Sequence, residues 1–318
     1  SPFCKSRLDP GPIQFLQKIR YTIKTNIIMV MSMINLCMSS NTIRKCRYLS
    51  RILQTLVADP RAIGCILNDE EVIRKRIIRK FGYEQGLPTL NLVELIPNPA
   101  ETVYPLSFLS DGSTPTDYLL LNSLAKKYDH CRYLEIGTWR GESIANVAQF
   151  AEECYSISLP KEDLIKRGFS EKMVKTLGFF SEKLENVVHI GADSTVFDFD
   201  SLDKKFDIIF IDGDHSAHAI ASDTRNAFKL LRDENSVIVW HDYGHTPERI
   251  RWETLEGIME GCPPQWRNNI YHVSNTLCAI FIRGQFNSKI CTFPEVPDKV
   301  FKLDVSIEKI NTVGSERI

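Results

Sequence analysis

Carboxylates and imidazoles recur in this chain directly after short apolar runs. Glu135 lies within RYLEIGTWRGESI (132–144), Asp193 with Ser194 closes NVVHIGADS (186–194), Asp212, Asp214 and His215 close FDIIFIDGDH (206–215), and His241 with Asp242 sits in NSVIVWHDYG (235–244). Ionisable groups gathered this way suit a site that moves protons or holds a cation. Asp212 and Asp242, at the ends of neighbouring runs, can share a divalent ion. Asp214 and His215 can accept a proton. Three roles fit His241: ligand to a borderline ion such as Mn²⁺, Fe²⁺ or Zn²⁺, base beside Asp242, or simple cap of its strand. Mg²⁺ prefers oxygen ligands. Without a metal, Asp212 would be only a supporting carboxylate, and His215 suits a hydrogen-bonding role better than metal binding. His218 and His245 read as loop or surface residues.

The run ending on Glu135 turns through Gly137 and Gly141 into a helical pattern. Glycine permits a positive φ and close approach of a ligand to the main chain, and the helix N-terminus that follows adds partial positive charge. A dinucleotide fingerprint needs G-x-G-x-x-G, whereas Thr138, Trp139 and Arg140 fill this turn. A pyrophosphate loop is therefore disfavoured, leaving a nucleoside without a diphosphate, or a tight turn that only packs a helix on a sheet.

Five apolar runs, counting CYSISL (154–159), alternate with helical patterns, and IYHV and LCAIFIR supply two more. Near-continuous apolar strands separated by helices form a parallel sheet covered on both faces, which binds ligands at its carboxyl edge. The expected fold is α/β: a doubly wound, mostly parallel, seven-strand Rossmann-like sheet with an N-terminal helical domain. Long apolar periodicities place a helical lobe over 1–85. A stretch rich in proline marks a linker over 86–113, the sheet domain spans 114–284, and a C-terminal appendage covers 285–318.

With the strand ends in this order, the segment from about Thr114 to Arg283 resembles a class I S-adenosylmethionine-dependent methyltransferase. EIGTWRG, IDGD and HDY resemble the macrocin-type metal-dependent sugar and small-molecule O-methyltransferases. The resemblance implies that Glu135, Gly137 and Gly141, with Thr138 and Ser143, line the methionine and ribose end of the cofactor, and that Asp193 and Ser194 border adenine. Asp212 joins this cofactor set. It further implies Asp212 and Asp242 as ligands of a divalent cation, Mg²⁺ or Mn²⁺, and Asp214 as the catalytic base. His241, where the family's pattern is not matched, is a candidate third ligand, and His215 and His241 are further candidate catalytic groups. One position departs from the family. Ser158 stands where an acidic residue usually meets the ribose hydroxyls, and a hydroxyl is the weaker acceptor. The implied activity is methylation of a small-molecule or glycan hydroxyl. The alternative is a methyltransferase-fold protein that binds cofactor or partner without catalysis.

The chain has 318 residues, 43% apolar content and a formal charge of −1. Residues 1–80 carry 15 Lys or Arg against 5 Asp or Glu, a surplus of +10 that leaves −11 for the rest. Such a basic lobe could meet an anionic membrane surface peripherally, cover an acidic acceptor site, or present only a solvated face, and self-association is a further expectation. No nucleic-acid partner is expected. Nine cysteines without a C-x-x-C pair argue against a disulfide framework and for a cytoplasmic setting. The segment IIMVMSMINLCM (27–38) is too short to span a bilayer, which needs about 20 residues, and reads as a buried Met-rich helix.

Overall fold

The computed structural model describes residues 70–110 and 112–310, together with residues 48, 50, 51 and 54, which are helical. The chain separates into two compact units, Ser1–Asp69 and Glu70–Ile318. The Met-rich segment and most of the expected N-terminal lobe lie outside the described residues.

The boundary expected at residue 85 falls earlier, at 69/70, because helix α1 (Glu70–Phe81) belongs to the second unit. Acidic Glu70 and Glu71 open this helix and basic Arg79 and Lys80 close it, the polarity that opposes the helix dipole. Ile73 and Ile77, one turn apart, are buried. Arg76 and Lys80 pair with Glu256 and Glu260 of the later helix Trp252–Gly261, and Arg74 lies 5.5 Å over the Trp252 ring. A periodic apolar stripe identifies a helix but not the element that covers it.

The strands are β1 (Thr89–Leu90), β2 (Arg132–Ile136), β3 (Glu153–Ser158), β4 (Val187–Gly191), β5 (Ile208–Ile211), β6 (Val237–Trp240), the hairpin β7 (Gly244–Thr246) and β8 (Arg249–Ile250), β9 (Ile270–Val273), β10 (Ala279–Phe281) and β11 (Ser288–Lys289). Nine of them form one sheet in the order β11-β1-β9-β10-β6-β5-β2-β3-β4. β4, β3, β2, β5 and β6 are mutually parallel, and β10 runs antiparallel to both β6 and β9. The seven expected strands are all present. β1 and β11 extend the sheet beyond β9, so the linker and the appendage each contribute two residues of ladder. Runs this short carry no readable periodicity, which is why the sequence did not reveal them.

The remaining helices are α2 (Leu92–Leu95), α3 (Pro115–Ala125), α4 (Glu142–Val147), α5 (Lys161–Lys166), α6 (Glu171–Val174), α7 (Ala217–Leu230) and α8 (Trp252–Gly261). Strand alternation divides the core in two. Leu134, Ile136, Ile209, Ile211, Ile238 and Trp240 face α1, α7 and α8, while Tyr133, Ile208, Phe210, Val237 and Val239 face α2, α3 and α4. The sheet is thus doubly wound. The same parity sends Glu135, within β2, and Asp212 and His241, one step past β5 and β6, to the α3–α4 side. Among the described residues no helix is long and apolar enough to cross a membrane, and all five described cysteines are free thiols.

Candidate active site

The strand ends are held level by a ladder that continues past each strand. Gly137 N–H bonds Ile157 O at 2.8 Å, Asp212 N–H bonds Ile136 O at 2.8 Å, His241 N–H bonds Ile211 O at 3.0 Å, and Ala192 N–H bonds Ser158 O at 2.8 Å. Sequence order reverses between β3 and β5 on either side of β2, which opens a crevice at the carboxyl edge beside Gly137. Gly137 has φ +94°, and a Cβ there would lie 2.3 Å from the Gly213 Cα, so the turns after β2 and β5 touch main chain to main chain. Gly141, with φ +78°, caps α4 in the left-handed conformation against Ser181.

His241 is the electrostatic centre. Its Nε2 lies 3.4 Å from Asp117 Oδ2, and its Nδ1 lies 3.1 Å from Asp212 Oδ1 and 3.6 Å from Asp242 Oδ2. The Nδ1 contacts are within ion-pairing reach but are not aligned as hydrogen bonds. Burial works against the charged imidazolium, yet Asp212, Asp117 and Asp242 together hold the pKa well above the ordinary value. Asp117 is fully buried, and burial pushes its carboxyl up. His241, the Leu277 N–H at 2.8 Å and the Thr114 hydroxyl at 2.7 Å outweigh that and lower it. Asp117 was not among the residues singled out from sequence. The pattern Thr114-Pro-Thr-Asp117 signals a capping box, which the structure contains, but nothing local signals a partner 124 residues away.

Asp242 follows β6 with φ +54°, a strained conformation that asparate-sized side chains tolerate better than most and that is frequent at functional sites. Its Oδ2 lies 3.2 Å from His215 Nε2 and 3.6 Å from Arg251 Nη1. Burial raises its pKa, but His241, His215 and Arg251 bring it down to about 2. Asp212, His215 and Asp242 can each aim one ligand atom at a common point, those atoms lying within 4.8 Å of one another. This differs from the expected set of Asp212, His241 and Asp242. His241 also contacts Asp117 on α3, and the surrounding carboxylates favour its protonated form over a metal-binding one, whereas His215 is half exposed on the loop leading into α7. Asp214 is exposed, and its Oδ1 accepts the Ser216 N–H at 2.8 Å. His218 and His245 are exposed, and His245 pairs with Glu70 at 2.7 Å.

Of the residues expected to bind cofactor, Gly137, Ser143, Ser158, Asp193, Ser194 and Asp212 keep part of their surface open, while Glu135, Thr138 and Gly141 are buried. Glu135 therefore differs from a carboxylate that anchors a ligand directly. It accepts from the Tyr133 hydroxyl at 2.9 Å and from the Thr138 hydroxyl, and Ser143 also bonds it. Burial raises its pKa to about 7 against the pull of those three hydroxyls. Those bonds tie its carboxylate to the turn. Glu135→Ala would leave three donors without their acceptor and is expected to lower stability by about 1–3 kcal/mol, with Glu135→Gln recovering most of it in a thermal melt. Asp193 pairs with Arg167 at 2.7 Å and caps Thr195, so its carboxylate is already engaged.

Residues 134–243 match a family described as a methyltransferase domain. An uncharacterized protein of Acanthamoeba polyphaga mimivirus is 31% identical over 139 residues, which is 42% of this chain and 60% of that protein. The chain thus spans less than two thirds of this curated relative. Among solved structures, cofactor-bound Rv0187 from MTB is 16% identical with a TM-score of 0.39 over 56% of this chain and 84% of its own. A TehB-like SAM-dependent methyltransferase from Corynebacterium glutamicum is 14% identical with a TM-score of 0.35 over 52% and 87%.

Proposed function

We propose, for a chain that carries a methyltransferase domain over residues 134–243, that it transfers a methyl group from S-adenosylmethionine to a hydroxyl of a small molecule or glycan, assisted by a divalent cation on Asp212, His215 and Asp242. The observation that carries this reading is the convergence of those three ligand atoms within 4.8 Å, two of them on the turn that touches Gly137. When bound, the cofactor supplies a methyl group on a sulfonium. Displacement forms the new O–C bond as the C–S bond breaks, and the acceptor hydroxyl must lose its proton.

Alcohols ionise poorly near neutrality, so the chain must provide a base, a cation, or both. Asp214 is fixed through Oδ1 by Ser216, and Oδ2 is the atom that would receive the proton. Two carboxylates and one imidazole suit a borderline ion such as Mn²⁺ better than Mg²⁺, which favours six oxygens. Holding acceptor and methyl donor in line can contribute roughly 7–11 kcal/mol. The open polar surface of Gly137, Ser143, Ser158 and Ser194 fits a neutral ribose and adenosine better than a diphosphate. The resemblance of EIGTWRG, IDGD and HDY to the macrocin-type enzymes supports extending this reading to sugar hydroxyls.

A second reading is favoured by one observation. The His241 imidazolium already sits 3.1 Å from Asp212, where it could supply the positive charge with no ion, leaving Asp214 as a metal-free base. Calorimetric titration of S-adenosylmethionine with and without Mn²⁺, and against a nicotinamide dinucleotide, tests both. Micromolar binding of S-adenosylmethionine is expected; tighter binding of the dinucleotide would overturn the proposal.

A further inference from the structure

The C-terminal stretch Phe301-Lys-Leu-Asp-Val-Ser-Ile-Glu-Lys309 alternates apolar and polar residues with the two-residue period of a strand. Within the second unit, residues 301–310 belong to no helix, turn or ladder, and all are exposed. Phe301, Leu303, Val305 and Ile307, all on one side of an extended chain, are 40%, 61%, 65% and 94% exposed. Lys302 pairs with Asp304 at 3.3 Å, the i,i+2 contact expected of polar residues that share the opposite side. A lone solvated segment has no reason to keep a regular apolar face.

We propose that residues 301–309 pair antiparallel with the same segment of a second copy of this chain, about a two-fold axis through Val305. The charges select this occupant and this register. Centred on Val305, Lys302 lies opposite Glu308, and symmetry repeats the pair. Asp304 lies opposite Ser306, Leu303 opposite Ile307, and Val305 opposite itself, so apolar meets apolar on one face. Phe301 then meets Lys309, whose aliphatic stem can cover the ring. A shift of the axis to Asp304 would set that aspartate against its own copy and separate Lys302 from Glu308. An axis between residues would put apolar side chains opposite polar ones.

A two-stranded ribbon by itself is marginal in water, and its apolar face needs cover. Tyr104 Oη lies 3.5 Å from Glu308 Oε2, which sets Tyr104 at the polar side of the segment, while Leu303, Val305 and Ile307 stay more than half exposed. The interface is thus self-complementary and independent of the catalytic reading.

Sedimentation velocity on the full chain at tens of micromolar is expected to show a dimer. Lys302→Glu and Glu308→Lys, each introducing like charges twice, should each weaken the dimer about tenfold, and Val305→Pro should leave a monomer. The double variant Lys302→Glu with Glu308→Lys restores opposite charges across the axis and should regain the dimer. A monomeric full chain, a dimer unaffected by Val305→Pro, or failure of the double variant to recover would overturn the proposal.

Discussion

Asp242→Asn is expected to lower methyl transfer by roughly 100–1,000-fold, the scale of losing one preorganised charge from a developing transition state, while S-adenosylmethionine affinity stays within about threefold. Asp242 is where the site's charges meet: His215 at 3.2 Å, His241 and Arg251 at 3.6 Å, and a carboxyl held down to about 2. The amide keeps the shape but gives the cation one neutral donor in place of a charged one. Mn²⁺ titration of the free protein, followed by calorimetry, should show at least tenfold weaker binding in Asp242→Asn and in His215→Ala. Turnover with labelled methyl donor should fall in parallel and should vanish in chelator. Full turnover in chelator with an inactive Asp214→Asn would instead favour the metal-free reading.

The second large effect is on stability. Removing either partner of a buried ion pair strands the other, at a cost of about 3–5 kcal/mol. Asp117→Ala and His241→Ala should each cost that much, which for a unit of this size lowers Tm by roughly 6–20 °C. Asp117 also serves Leu277 N–H and the Thr114 cap, so its loss should be the greater. The pH dependence has a definite sign. The His241 pKa is raised in the fold, so its contribution is fully present below about pH 6.5, the unfolded value, and is lost as pH rises through the folded value. Asp117 is lowered, so its contribution is present above about pH 3.9 and is lost on acidification through its folded value. In chelator, the Tm of the native chain should therefore decline as pH rises above about 6.5, and His241→Ala should lack that decline. Equal slopes for the two proteins would remove His241 from the charge network.

How much was legible varies by residue. Asp212, Asp242 and Gly137 could be placed at the catalytic edge because an apolar run that ends abruptly in a polar residue marks a strand terminus whatever surrounds it. For Glu135, the sequence shows a carboxylate near a strand's end, but not that Tyr133, Thr138 and Ser143 bond it. Asp193 is similar, with Arg167 as its partner.

By itself the sequence determined the periods of the elements, the alternation that divides the two cores, and the set of polar residues delivered to one edge of the sheet, since all of these depend on spacing along a single strand or helix. The tertiary structure alone decided who meets whom. His241 faces Asp117 because sheet order and helix α3 bring together residues 124 positions apart. His215 reaches Asp242, as His241 also does, because the loop after β5 and the strained residue after β6 lie side by side on parallel neighbours. Helix α1 belongs with the sheet unit because Glu256 and Glu260 are there to receive its basic residues. Lateral partners are set by long-range packing and desolvation, which no local pattern encodes.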